Sequence, residues 1–281
     1  MRAPAPLSVR LVAPPAPGAA PAQPARRATP PPPTPALAAG RATGAPPMAA
    51  GPRAEPEEPV QMPGRYRVRP PPSALLDYDV VRSAPGQAPR AGSAARIDWQ
   101  SADNQYRMRI EGMPDQVGER ALESEGGVND AGIAPDKASE QRAGAGASQT
   151  RFDQQAGRIG FSDSRRSYVL NVGSQDQASL MMQLAGIGLS DARQMRGVIE
   201  IFVGAASDAG IVRFEVGAEE SLQSALGALS AVHLVQQVEP GQRRLELWLA
   251  PQQHWLPVRL RTTWPDGTVA TQTVSRIELK P

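Results

Sequence analysis

The chain has 281 residues, with 30 basic and 28 acidic side chains, a formal net charge of +2, 30 prolines and no cysteine. Without cysteine there are no disulfides, no thiol catalysis and no Cys-ligated zinc. The balanced charge offers no concentrated basic face for nucleic acid, and no run reaches the about 18 consecutive apolar residues that a spanning helix needs.

The composition is uneven along the chain. Residues 1–60 hold 17 of the 30 prolines, and all twelve Trp, Tyr and Phe lie at or after Tyr66. Aromatic side chains supply much of the buried area in cores, so residues 1–64 are expected to be a disordered proline-rich tail. The run Pro30-Pro31-Pro32-Pro33 and the repeated Ala-Pro pairs favour stiff polyproline II, roughly 200 Å long if fully extended at about 3.1 Å per residue. The arginines of the tail run to Arg53, and Glu55, Glu57 and Glu58 follow. A spacer that touches an anionic surface and a plain solvated linker both fit that pattern.

From residue 65 to 281 the pattern becomes short alternating runs between turn residues, as in antiparallel strands. Ala74–Val81 is the first. Ala95–Gln100 and Gln105–Glu111 form a hairpin across Ser101-Ala102-Asp103-Asn104, with Tyr106, Met108 and Ile110 on one face. Glu119–Gly126 is a weaker strand. Gly127–Asp136 is rich in turn residues, and Ser139–Ser148 reads as a loose loop. Gly157–Phe161 and Ser167–Val172 are strands. One helix follows: Ser174-Gln175-Asp176-Gln177 has the form of a capping box. Leu180, Met181, Leu184 and Ile187 recur at helical spacing, and Gly186 or Gly188 would end it.

Strands resume at Val198–Val203, with Ile199, Ile201 and Val203 on one face, then at Ile211–Val216 and Ala231–Val238. Arg244–Leu249 sets Leu245, Leu247 and Leu249 against Glu246 and Trp248. Pro257–Trp264 and Thr268–Leu279 flank the turn Pro265-Asp266-Gly267, where proline fixes φ and glycine supplies φ > 0. About a dozen strands and one helix predict a mainly β fold, since a sheet this long curls, splits or closes. The expected form is a long antiparallel sheet curled into an open barrel or half-barrel, with one α-helix packed on it.

Reactive chemistry is sparse. His233 and His254 stand far apart with no carboxylate at ligand spacing, whereas a first-row metal needs three or four converging ligands. His233 reads as a packed, hydrogen-bonded strand residue and His254 as a turn residue. Glu219-Glu220 and Glu123–Glu125 read as solvated acids, because a glycosidase requires two carboxyls facing each other across a cleft. No nucleophile elbow, Walker loop or dinucleotide fingerprint occurs. No catalytic residue, cofactor or metal is therefore expected, and the protein reads as non-enzymatic. Met181 and Leu184 on the helix, with Trp248 and Trp264, are the residues that would line a ligand cavity; core packing accounts for the same residues.

From about Tyr66 to Leu279 the chain resembles the bacterial envelope family known as domain of unknown function 3108. Ile97-Asp98-Trp99, Tyr106-Arg107-Met108-Arg109-Ile110-Glu111-Gly112, Ser124-Glu125-Gly126 and Gly132-Ile133-Ala134-Pro135 carry the likeness. Phe152, Gly157-Arg158-Ile159-Gly160-Phe161-Ser162, Glu246-Leu247-Trp248-Leu249-Ala250-Pro251 and Leu256-Pro257-Val258-Arg259 continue it. Gly173-Ser174-Gln175-Asp176-Gln177-Ala178-Ser179 resembles the family's Gly-Ala-Gln-Asp-Arg-Leu-Ser, departing from it at Ser174, Gln177 and Ala178. The resemblance implies a β-rich periplasmic domain, usually behind an N-terminal membrane anchor and a proline-rich spacer, and implies no reaction. An apolar export segment is expected upstream of Met1; if Met1 is the true start, the protein is cytoplasmic. The favoured function is to hold an apolar or lipid-like ligand, and the alternative is a structural or protein-interaction module tethered by the tail.

Overall fold

In the computed structural model, residues 65–280 are described; the proline-rich tail expected over residues 1–64, and Pro281, lie outside them. The strands are β1 (Ala74–Ser83), β2 (Arg90–Ala91), β3 (Ala95–Ala102), β4 (Gln105–Pro114), β5 (Glu119–Asn129), β6 (Gly132–Arg142), β7 (Ala147–Asp153), β8 (Arg158–Phe161), β9 (Ser167–Val169) and β10 (Gln175–Asp176). Helix α1 (Ser179–Ser190) precedes β11 (Val198–Ala205), β12 (Asp208–Ser224), β13 (Gly227–Gln237), β14 (Arg244–Ala250), β15 (Leu256–Thr263) and β16 (Val269–Leu279). All sixteen strands join one sheet in the order β10 to β16, then β1, then β3 to β9, with β2 on the side of β1. Every pairing is antiparallel except the short β10–β11 contact.

The alternation anticipated from the sequence sets the register. Asp103 and Asn104 both take left-handed backbone (φ 52° and 57°), the twist that a two-residue hairpin turn requires. They place Trp99 opposite Met108 and Ile97 opposite Ile110. Ile199, Ile201 and Val203 point inward from β11, and Leu247 and Leu249 point inward from β14. The sheet curls around α1, whose residues from Ser179 to Gly188 are all buried. Trp99 is fully buried on this concave side, stacked on Tyr106 at 5.4 Å and donating its indole N–H to the Pro71 carbonyl at 3.0 Å.

Two segments read as turns or loops are instead mostly strand. Gly127–Asp136 is the close of β5 and the start of β6, turning only at Asp130 and Ala131, and Ser139–Ser148 is the end of β6 and the start of β7. Small and polar residues hid their alternation, because the sheet there offers few large side chains to bury. Likewise, β12 and β13 run well past Ile211–Val216 and Ala231–Val238, with a bulge between Val216 and Glu219 that bends the hairpin.

The helix begins later and ends later than the sequence suggested. Ser174 is not its cap. Asp176 takes that role from two residues before Ala178, accepting from the backbone N–H of Ala178 at 2.8 Å and of Ser179 at 3.0 Å. Nor do Gly186 and Gly188 end the helix; both lie within it because neighbours come too close for a side chain. A Cβ on Gly186 would meet Val68 at 2.6 Å, and one on Gly188 would meet the Trp255 ring at 2.4 Å. The segment before β1 thus packs along α1, with Arg69 N–H donating to the Gly186 carbonyl at 3.0 Å.

The sheet is not closed into a barrel. Its end strands, β9 and β10, do not pair with each other. Instead the two ends overlap face to face: Phe152 and Ile159 from β7 and β8 pack with Phe202 of β11, joined by Tyr168, Leu170 and Ile211. Gly204 on β11 leaves room there, since a Cβ would meet Ile159, Phe152 and Thr150 at 3.2–3.3 Å.

Backbone strain concentrates at the end of β14. After the 3-10 turn Pro251–Gln253, His254 and Trp255 are both left-handed (φ 54° and 61°), a conformation that costs a residue with a Cβ roughly 1–2 kcal/mol. The exchange His254→Gly is expected to raise stability by about 0.5–1 kcal/mol, net of the added freedom of the unfolded chain. Denaturant titration showing a lower midpoint for this variant would contradict the strain assignment.

Candidate functional site

A cavity of about 560 Å³ remains between the first turn of α1 and the concave side of the sheet. It falls within the ~300–1,000 Å³ typical of small-molecule sites. Leu180 and Met181 form its floor from the helix. Val203, Phe214 and Leu245 enter from β11, β12 and β14, and Met113 and Leu122 from β4 and β5. These positions follow from the two periodicities: alternate strand residues face inward, and the helical stripe meets them.

Much of the rest of the lining is polar, with Gln177, Gln236, Gln237, Gln242 and Thr262 beside two arginines. Arg120 on β5 is almost wholly buried and donates through Nη1 to Glu140 Oε1 at 3.0 Å and to Gln177 Oε1 at 2.8 Å. Its Nε is buried with no hydrogen-bond partner. Arg243, just before β14, is half-buried, and among the described residues its guanidinium has no hydrogen-bonded or ion-paired partner. Burial, and then the neighbouring Arg120, bring it down to about 10. Asp208 also reaches the cavity rim, but Arg166 (2.9 Å) and the Tyr168 hydroxyl occupy its carboxylate.

The four residues expected to line a cavity are not brought together. Met181 lines the cavity, and Leu184, one turn further along α1, is fully buried in the core. Trp264 is buried just beyond β15, with the Arg82 guanidinium 5.3 Å from its ring centre. Trp248 alternates with Leu247 and Leu249 and so lies on the opposite face of the sheet from the cavity. Sequence reasoning missed Arg120 and Arg243; no local spacing marks them, because strands distant in the chain bring them to one rim.

On that opposite face His233 is the packed, hydrogen-bonded strand residue expected, and Glu220 is exposed as expected but bonds to its neighbours. The His233 ring stacks on Trp248 at 4.1 Å, with Nδ1 3.1 Å from Glu220 and Nε2 3.1 Å from Glu246. The indole N–H of Trp248 donates to Glu220 at 3.0 Å, which holds that carboxyl below its usual range, with the nearby His233 adding to the effect. Arg259 and Arg261 lie over the Trp248 ring. His233, Trp248 and Arg259 are direct cross-strand neighbours on β13, β14 and β15. Glu220 joins them from β12, where it pairs with Ala231, two residues from His233. Strand adjacency, which sequence spacing does not reveal, makes the cluster. Among the described residues no group of three or more His, Cys, Asp or Glu is placed to hold a metal ion, and no helix is long and apolar enough to cross a membrane.

No curated protein matches this sequence. Among solved structures, a LolA superfamily protein from Nitrosomonas europaea matches at 11% identity over 76% of this chain and 89% of that one, with a TM-score of 0.22. A family model described as a protein of unknown function, DUF3108, matches residues 86–274. That span runs from the turn after β1 to Val274 in β16, and it includes α1 and every residue named above as lining the cavity. The chain belongs to the DUF3108 family.

Proposed function

We propose that the protein is a non-enzymatic component of the bacterial cell envelope that holds an apolar, lipid-like molecule between α1 and the curled sheet. The cavity of about 560 Å³ floored by Leu180 and Met181 carries this reading. Methionine suits a site that accommodates flexible chains, because its unbranched side chain adapts to irregular shapes. The envelope location rests on the family resemblance, and fractionation of cells making the full-length protein should recover it with periplasmic or membrane-bound material. Recovery wholly in the cytosol would refute that location.

The binding reading predicts that gently purified full-length protein carries lipid-sized adducts in native mass spectrometry. It also predicts that an environment-sensitive apolar dye, N-phenylnaphthylamine, brightens on binding. Val212 lines the cavity and is only half-buried, so Val212→Trp should occlude the space and lower dye binding several-fold while the fold persists. Neither adducts nor dye response in the wild-type protein would defeat the proposal.

A further inference from the structure

One side of the cavity is apolar, formed by Leu180, Met181, Phe214 and their neighbours, and two guanidiniums stand beside it. An arginine facing apolar surroundings is ordinarily held by carboxylates on each available edge, because burying an unpaired charge is costly. Arg120 satisfies only part of that need: Glu140 and Gln177 take Nη1, and Nε is left without a partner. Glu140 is shared, since Arg142 Nε also donates to it at 3.0 Å. Arg243 has no bonded partner among the described residues. The charges acting on it are Arg120 and Arg142, which repel it, and Asp115 and Glu140, which attract it without pairing with it. Asp115 and Glu140 are themselves paired with Arg142. Among the described residues, the rim therefore carries uncompensated positive charge beside the apolar side of the cavity.

We propose that Arg120 and Arg243 form an oxyanion seat at the rim, so that the molecule held is an amphiphile whose acyl chain fills the cavity and whose carboxylate or phosphate head lies between the two guanidiniums. This rests on the cavity being a binding site, and it adds the class of ligand. The planar guanidinium fork fits both heads, since carboxylate and phosphate each accept paired N–H donors. The lowered proton affinity of Arg243, caused by burial, agrees with a group that lacks the counter-charge a bound anion would supply. Asp208, the acid on the cavity wall, does not compete for the seat, because Arg166 and Tyr168 occupy it.

The test uses the full chain and three probes of equal chain length: dodecanoate, dodecyl phosphate and 1-dodecanol, each displacing N-phenylnaphthylamine. Wild-type protein should bind at least one of the anions roughly tenfold or more tightly than the alcohol, as expected for charge-assisted hydrogen bonds. Arg243→Met should abolish most of that preference and leave alcohol binding in place. It should also leave the melting temperature of the unliganded protein unchanged or raised, because a charge without a bonded partner leaves a partly buried site. A stronger grip on dodecanoate would assign the head to a free fatty acid, and a stronger grip on dodecyl phosphate to a phosphorylated lipid; either supports the seat. Equal binding of all three probes overturns the seat but leaves the cavity as an apolar site. No binding of any probe overturns the cavity reading itself. Full anion preference in Arg243→Met, or displacement by inorganic phosphate as effective as by dodecyl phosphate, also overturns the proposal.

Discussion

Asp176→Ala is expected to lower the melting temperature by about 10 °C, taking about 2–4 °C per kcal/mol for a domain of this size. The carboxylate is fully buried and serves four donors. Oδ1 accepts from the backbone N–H of Ala178 and Ser179, and Oδ2 from the hydroxyls of Ser124 at 2.5 Å and Ser179 at 2.9 Å. Ser124 in turn pairs with the Tyr106 hydroxyl at 2.7 Å. Alanine would remove the helix cap, about 0.5–2 kcal/mol, and strand buried donors at about 1–3 kcal/mol each, for a loss of roughly 3–5 kcal/mol. Asp176→Asn keeps the shape and should cost much less. The pair also has a pH signature. Burial pushes the Asp176 carboxyl above its usual range, against the hydrogen bonds that favour its charged form. The folded protein therefore holds this proton at pH values where the unfolded chain has released it. The resulting stabilisation is complete below about pH 4, near the unfolded carboxyl's value, and is lost as pH rises through the folded value. Asp176→Asn should lack that loss. Denaturant titrations of both proteins across this range, subtracted from each other, would show a flat difference if the assignment is mistaken.

The second large effect concerns Gly188. Exchanging a mid-helix glycine for alanine ordinarily gains about 1 kcal/mol. Here the new methyl would lie 2.4 Å from the Trp255 ring carbons Cδ2 and Cε3. Trp255 cannot withdraw easily, because its left-handed backbone is fixed by its N–H donating to the Ala250 carbonyl at 2.9 Å. Overpacking of this kind costs about 1–3 kcal/mol, so Gly188→Ala should destabilise rather than stabilise. In a Trp255→Leu background the same exchange should be near neutral or favourable. If the two substitutions simply add in thermal denaturation, the ring is not what excludes the methyl.

Much of the architecture could be read from the chain because alternation and burial are one phenomenon. Leu245, Leu247 and Leu249 had to share a face, and they do. The hairpin through Asp103 and Asn104 follows from turn chemistry alone. Alternation vanished where both faces of a strand are covered or neither is. In β11 the inward face was legible from Ile199, Ile201 and Val203, but not that Phe202 on the other face is buried too, because the other end of the sheet lies over it. The distal halves of β12 and β13 are largely exposed, so their residues carried no apolar signal. The glycines of α1 looked like terminators because their neighbours, Val68 and Trp255, are far away in sequence. The rim arginines were hidden for the same reason. Arg120 and Arg243 are ordinary residues in a chain that uses arginine for nearly all its positive charge. Only the curl of the sheet, which brings β5 near the start of β14, gives them a shared place.

The overlap of Phe152 and Ile159 with Phe202 has a mechanical consequence. A hydrogen-bonded cylinder has a girth fixed by its strand number and stagger, and it widens only by tearing a whole ladder. Here the lap is held by side chains instead, the apolar cluster together with the Arg166 and Tyr168 contacts to Asp208. Parting the lap would cost in proportion to the apolar area uncovered, with no strand pairing lost.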